Sequence, residues 1–260
     1  MIPAAAITAW SAHAPWATLA QIEQDLILCR FMVEIAQDPT LSKQLAMRGG
    51  TCLHKLFAKP ALRYSEDLDY VQVVTEPSGP MFDALRALAD RLGLDVVRTE
   101  TSERMIRLRY RTPATDGSTI RVKVEVNTRE KVPFLEHRLV PFDVQSPWFN
   151  GSADVRTFAL EELLGTKVRA LYQRRKGRDL FDLWIGLTQL NADVEQVAQA
   201  FRYYLPAAEA SADDIRKNLA DKTTNRLFRT DLDPLLQQVP AGYAIESAMQ
   251  HIQENLVSLL

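Results

Sequence analysis

The sequence is poor in cysteine: Cys29 and Cys52 are its two thiols in 260 residues, too few for a disulfide framework and without the paired spacing of a zinc site. Its four histidines, His13, His54, His137 and His251, have neither metal-ligand spacing nor a triad pattern. It contains no G-x-S-x-G, no Walker lysine motif and no G-x-G-x-x-G, so the hydrolase elbow, the P-loop and the dinucleotide-binding turn are excluded. No apolar run reaches membrane-spanning length. There is no internal repeat, no low-complexity segment and no charge bias. Lys and Arg number 31 against 33 Asp and Glu, a net charge of -2, so any contact with nucleic acid must come from local clustering. The first twenty residues are alanine-rich and end near A-T-L-A, but no Lys or Arg precedes their apolar part. Trp10, Ser11, His13, Pro15 and Trp16 also interrupt them, which argues against a signal peptide. A reduced, cytoplasmic protein is expected.

What is present concentrates in one stretch, Arg48 to Val71: R-G-G-T-C-L-H-K-L-F-A-K-P-A-L-R-Y-S-E-D-L-D-Y-V. Glycines such as Gly49 and Gly50 let a backbone approach a phosphate closely, and Thr51 adds a hydroxyl. A helix predicted from Thr51 to Lys59 would aim its free N-terminal amides at this turn, a natural anion seat. Asp67 and Asp69 follow on a strand predicted from Leu68 to Val74. Strand side chains alternate, so both carboxylates face one way. Such a pair suits Mg²⁺, a hard ion that binds carboxylates together with substrate phosphates. Taken alone, a D-x-D is more often a solvated strand face; the glycine turn ahead of it shifts the balance.

Periodicity divides the chain near Asn150. Before it come helices over Leu19–Gln37 and Met81–Leu92 (with Gly93 as cap) and strand candidates over 94–99, 105–111 and 119–127. The segment 112–118, T-P-A-T-D-G-S, is a hairpin turn, and 131–154 reads as loop-rich with short strands near Leu139 and Phe142. After it, segments 160–175, 179–189, 193–204, 212–220, 233–238 and 244–259 read as helices. The expected architecture is α+β: a mixed sheet with flanking helices over residues 1–155, then an all-α domain over 156–260.

On strand 119–127, Val122, Val124 and Val126 form a core face, and Glu125 lies on the charged face, where it is a candidate third carboxylate for a metal. Lys167 falls inside the apolar stripe Leu160, Leu163, Leu164, Val168 and Leu171. An ammonium there either snorkels to solvent or reaches a polar cleft and a triphosphate. Asp179 and Asp182 fall between two apolar faces of the next helix, as salt-bridge and cap residues or as lining of the same cleft. The run Gln173 to Arg178, with Arg174, Arg175, Lys176 and Arg178, and the strand face Arg107, Arg109 and Arg111 are local basic surface, suited to RNA phosphates or simply to solvent. Cys52 beside the glycines is a small packed residue rather than a reactive thiol. Ser65, two residues ahead of Asp67, belongs with the nucleotide-binding positions, and a phosphate or nucleotide added to it would oppose triphosphate binding.

The run G-G-T-C-L-H-K-L-F…R-Y-S-E-D-L-D-Y, followed by K-V-R-A-L-Y-Q-R-R-K-G-R-D-L-F-D-L-W, resembles the AbiEii/AbiGii nucleotidyltransferase toxins of the DNA polymerase β-like nucleotidyltransferase superfamily, over roughly Arg48 to Leu187. The resemblance implies that Gly50 and Thr51 (where the wider superfamily has Gly-Ser) hold nucleotide phosphates. It also implies that Asp67 and Asp69 hold Mg²⁺, that Lys167 is the family lysine, and that Asp179 or Asp182 is its downstream aspartate. It implies an NTP substrate, a separately encoded antitoxin partner and, for some members, a tRNA 3′ end as acceptor, blocking translation. The nucleotide would then sit between the two halves of the chain. Alternatives are transfer to a small molecule or a protein side chain, and a non-catalytic NTP- or RNA-binding protein. The presence of every metal and phosphate residue argues against the last.

Overall fold

A computed structural model describes residues 2–102 and 105–260, with the side chain of Ile106 also outside the description. The chain forms two compact units. One runs to Pro133 and resumes over His137–Phe158; the other holds Phe134–Glu136 and Ala159–Leu260.

The first unit is built on a seven-stranded sheet in the order β3-β4-β5-β2-β1-β7-β6. Its strands are β1 (Leu45–Arg48), β2 (Asp67–Gln72), β3 (Asp95–Thr101), β4 (Met105–Pro113), β5 (Thr119–Asn127), β6 (Arg138–Gln145) and β7 (Asn150–Thr157). β2 lies inside the sheet, antiparallel to β1 and parallel to β5. The alternation legible in β5 is realised: Val122, Val124 and Val126 are buried, with Leu68 and Tyr70 of β2 and Leu108 and Tyr110 of β4 beside them. The opposite face carries the charged residues. Helix α1 (Ala4–Trp10) precedes α2 (Leu19–Gln37), which packs on β5, β6 and β7. Thr18 and Gln21 close a capping box at the start of α2. Beyond it α2 is buried nearly all round, including Glu23 and Asp25, as a helix inside a core must be. α3 (Leu41–Gln44) leads into β1, α4 (Gly49–Cys52) follows it, and α5 (Gly79–Arg91) covers part of the sheet.

Three local expectations change. The segment 131–154 is not mainly loop: β6 and β7 pair antiparallel over eight residues, Arg138↔Thr157 to Gln145↔Asn150. Prolines obscured this. Pro141 lies in β6, the outermost strand of the sheet order, where a missing N–H is tolerated. The helix after the glycines is a single α-turn that continues as a π-turn over Leu53–Phe57. Segments 233–238 and 244–259 are shorter than expected: a 3₁₀ turn Asp233–Leu235, and a helix Ile245–Asn255 with a 3₁₀ turn Val257–Leu259.

The second unit is helical: α6 (Leu160–Gln173), α7 (Gly177–Thr188), α8 (Val194–Tyr204), α9 (Ala212–Thr223), α10 (Arg226–Thr230) and α11 (Ile245–Asn255). Glu162 of α6, fully buried, accepts the amides of Phe134 and Leu135 at 2.8 Å each and the Tyr204 hydroxyl at 2.5 Å, which fastens the 134–136 segment to this unit. Among the described residues, no helix is long and apolar enough to cross a membrane.

Candidate active site

Strand register assembles the first part of the site. Arg48 of β1, Asp69 of β2, Glu125 of β5, Arg107 of β4 and Glu100 of β3 form one row across the charged face; Asp67, Lys123 and Arg109 form the next. Asp67 and Asp69 therefore share a face, as the D-x-D spacing requires, with Gly49 and Gly50 at the end of the neighbouring strand.

The glycines are needed for close approach. Gly49 has φ +84°, and a Cβ there would lie 2.2 Å from Asp69 Oδ2. A Cβ on Gly50 would lie 2.4 Å from Arg63 Nη2 and 3.2 Å from Ser65 Oγ. The turn thus meets Asp69 on one side and Arg63 on the other. Thr51 has a different task from the one expected of it. It is 1% exposed, its hydroxyl donates to the Asp67 carbonyl, and Ser65 Oγ stands 2.8 Å from Thr51 Oγ1. Thr51 ties the turn to the start of β2 rather than offering a hydroxyl to solvent. Ser65 sits at this junction, half-buried.

Asp67 is 37% exposed and faces Lys123, whose Nζ is 2.7 Å from Asp67 Oδ2 and 3.5 Å from Glu125 Oε1. Burial alone would lower the Lys123 pKa; the hydrogen bond and charge of Asp67, with Glu125 and Asp69 behind, hold it above the ordinary lysine value. Glu125 shares the carboxylate face but is turned to cations: Arg107 bonds it closely and Lys123 flanks it. Among the described residues no three His, Cys, Asp or Glu are grouped as a metal centre would need, so the expected set of Asp67, Asp69 and Glu125 is not assembled as one cluster. The reason is electrostatic: on a face this rich in arginine, Glu125 gains more from Arg107 than from facing two carboxylates.

Arg107, expected to offer a guanidinium to RNA, is likewise engaged by Glu125 and, at 2.8 Å, by Glu100. Beside Asp67 lies a cleft of about 820 Å³ lined by Arg109, Arg111, Arg121 and Lys123, with Val97, Tyr110 and Val122 among its apolar walls.

In the second unit, Lys167 does not snorkel. It is 7% exposed, with Nζ 3.3 Å from Asp179 Oδ1 and 2.8 Å from Asp182 Oδ2, both aspartates fully buried. Arg174 binds Asp179 through two nitrogens, at 2.7 and 2.8 Å. Burial opposes ionisation of Asp179, but Lys167 and Arg174 outweigh it and hold the carboxyl below the ordinary aspartate range. The basic run is therefore partly paired, while Arg174, Arg175 and Lys176 stay exposed. Arg174 serves Asp179, and Lys176 and Arg178 approach Asp231 at 3.1 and 3.7 Å. Sequence reasoning missed Arg63 and Lys123 as site residues. Arg63 stands inside the quoted R-Y-S-E-D-L-D run, and Lys123 alternates with Glu125, so both positions were visible without their roles.

A model of the family described as nucleotidyl transferase AbiEii toxin, type IV toxin–antitoxin system, matches residues 30–252. The chain belongs to the AbiEii nucleotidyltransferase toxin family. By structure it is similar to MenT4, a nucleotidyltransferase toxin from Mycobacterium tuberculosis H37Rv, with 18% identity and a TM-score of 0.66 over 97% of this chain and 89% of that one. A second likeness, to an antigenic nucleotidyltransferase-like protein from Paracoccidioides brasiliensis, covers 76% of this chain and 92% of that one at 16% identity and a TM-score of 0.41. No curated protein matches. The AbiEii family implies an NTP substrate and an antitoxin partner, and nucleotidyltransferases of this kind generally use a divalent metal. The residues present suit such an ion. Asp67 and Asp69 supply hard oxygen donors on one face, and Asp69 is drawn against Gly49 where a side chain would displace it.

Proposed function

We propose that this AbiEii chain transfers a nucleotide from an NTP to RNA, with the tRNA 3′ end as acceptor, and that the added nucleotide blocks translation. The observation that supports it best is the position of Asp67 and Asp69. They lie between the Gly49–Gly50 turn on one side and the cleft lined by Arg109, Arg111, Arg121 and Lys123 on the other. The turn suits the triphosphate, since its backbone can approach oxygens closely and Arg63 passes over Gly50. The cleft suits a phosphodiester strand, since it gathers four cations of which Arg121 is exposed and Arg109 and Arg111 meet Glu100 and Asp95 only at 3.6 and 3.8 Å.

In the reaction an RNA hydroxyl oxygen forms a bond to the α-phosphorus, the bond from that phosphorus to the β-phosphate bridge breaks, and pyrophosphate leaves. Asp67 and Asp69 would hold a divalent ion such as Mg²⁺, which would neutralise charge on the triphosphate and activate the hydroxyl. Lys123, which lines the cleft together with Asp67, holds Asp67 in place. By family resemblance Lys167 is the lysine that grips phosphate, and Asp179 or Asp182 is the downstream aspartate.

Asp67→Ala tests this. Labelled NTP transfer to total RNA should fall by at least about a thousandfold while the unfolding midpoint stays near wild type, because the side chain is part-exposed and its loss leaves no cavity. Transfer that survives the change defeats the catalytic reading. Transfer to protein or to a small hydroxylated molecule in place of RNA defeats the choice of acceptor.

A further inference from the structure

Asp25, buried in the middle of α2 and 1% exposed, is bonded from three directions. The indole nitrogens of Trp10 and Trp16 donate to its two oxygens at 2.9 and 2.8 Å. Lys55 Nζ approaches Oδ2 at 2.6 Å, and Cys29 Sγ stands 3.6 Å from Oδ1. Burial pushes the Cys29 thiol up to about 12, so the charges in this cluster are those of Asp25 and Lys55. A buried carboxylate with this many donors is costly to desolvate, and removing one partner leaves the other charge stranded.

What the cluster reaches is the phosphate turn. Lys55 lies on the π-turn Leu53–Phe57 that continues directly from Gly49–Cys52. Single π-turns of this kind concentrate at functional sites because they re-aim the backbone around them. On the other side, the Trp16 ring stands 5.8 Å from the Tyr64 ring, and Arg63 donates to the Tyr64 carbonyl at 2.9 Å while its other nitrogen crowds Gly50. The Lys55 ammonium lies 6.0 Å from the Trp16 ring. One network thus touches the turn from both sides: through Lys55 after the glycines, and through Trp16, Tyr64 and Arg63 across Gly50.

We propose that Asp25 is a positioning residue for triphosphate binding: with Trp10 and Trp16 it anchors Lys55 and the Tyr64–Arg63 arm, and so fixes Gly49, Gly50 and Arg63 in the geometry that receives phosphate. This rests on the nucleotidyltransferase reading of the turn. It gives the segment before α2 a role in the site, although that segment lies outside every motif.

The test is calorimetric titration of the full chain with each NTP in Mg²⁺, and separately with RNA, at a temperature well below unfolding. Asp25→Asn keeps the shape and loses the charge; its NTP dissociation constant should rise by about tenfold to a hundredfold, the range a displacement near 1 Å produces. RNA affinity should be unchanged, which a general loss of structure would not allow. Trp16→Phe, which keeps the ring and removes one donor, should weaken NTP by a smaller factor in the same direction. Adding Lys55→Met to Asp25→Asn should weaken NTP no further, since the two residues act as one unit. A folded Asp25→Asn protein with wild-type NTP affinity overturns the proposal; if that variant does not fold, wild-type affinity in Trp16→Phe overturns it. A wild-type chain that binds no NTP overturns the functional reading itself, a different result from equal binding by wild type and variants.

Discussion

Lys123 Nζ lies 2.7 Å from Asp67 Oδ2, and the two residues are in register on the neighbouring strands β5 and β2. Both residues line the cationic cleft. A metal ion binding Asp67 must therefore share it with, or take it from, an ammonium. Lys123→Met is expected to tighten Mg²⁺ binding to the NTP-free chain by about fivefold, since a unit charge near 4 Å in a water-exposed setting is worth about 1 kcal/mol. Titration calorimetry with MgCl₂ alone measures this, and unchanged or weaker binding contradicts it.

Gly49→Ala should be disproportionately damaging for so small a change. The residue sits at φ +84°, and the added methyl would meet Asp69 Oδ2 at 2.2 Å. The backbone strain costs about 1–2 kcal/mol for an L-residue, and Asp69 must swing away in addition. Unfolding in urea should show the modest loss, while nucleotide transfer should fall by about a hundredfold or more, as a 1 Å displacement of a catalytic group does. Equal, small losses in both would mean that Asp69 relaxes without consequence.

The unequal legibility of this chain has physical causes. Strand β5 was readable to the residue because one face is buried and the other wet, so valine and charge alternate strictly. The shared face of the D-x-D pair and the tight Gly-Gly turn are legible for the same reason: both report local backbone geometry. β6 and β7 are less legible because their alternation is confined to a few half-buried or buried positions and is masked by Pro141 in β6 and by Gly151 and Ser152 in β7. The partners of the charged residues were not legible either. Whether Glu125 turns to a metal or to Arg107, and whether Arg174 faces RNA or Asp179, is decided by strand order and by helix packing over distances no spacing rule reaches. Lys167 was readable as misplaced, since a lysine inside an apolar stripe conflicts with its surroundings; the conflict is resolved by Asp179 and Asp182.

On the proposed reading, the cleft beside Asp67 binds the acceptor and the glycine turn binds NTP, so the two can be separated by mutation. Arg109 and Arg121 line it. Arg121 is exposed, and the contact between Arg109 and Glu100 is long, at 3.6 Å. The double change Arg109→Ala with Arg121→Ala should raise the RNA KM by about tenfold, leave the NTP KM unchanged, and reduce the slope of log affinity against log salt by about one per lost phosphate contact. Steady-state transfer assays at several salt concentrations decide this. An unchanged salt slope would place the RNA elsewhere, and an altered NTP KM would make the cleft part of the triphosphate seat.

Asp179 should control acid stability of the helical unit. It is fully buried and neutralises both Lys167 and Arg174. Its pKa is lowered in the fold, so the stability it contributes is complete above the ordinary aspartate value near 3.8 and disappears as pH falls through the lower folded value. Asp179→Asn leaves two cations without their shared carboxylate, with Lys167 still buried beside Asp182, and is expected to cost about 3–5 kcal/mol near neutral pH. Because asparagine does not titrate, the variant's stability should then fall less steeply than wild type as pH drops below the ordinary aspartate value near 3.8. Urea unfolding at a series of pH values compares the two curves directly. Parallel curves would show that other carboxylates set the acid limb and that Asp179 is paired but energetically minor.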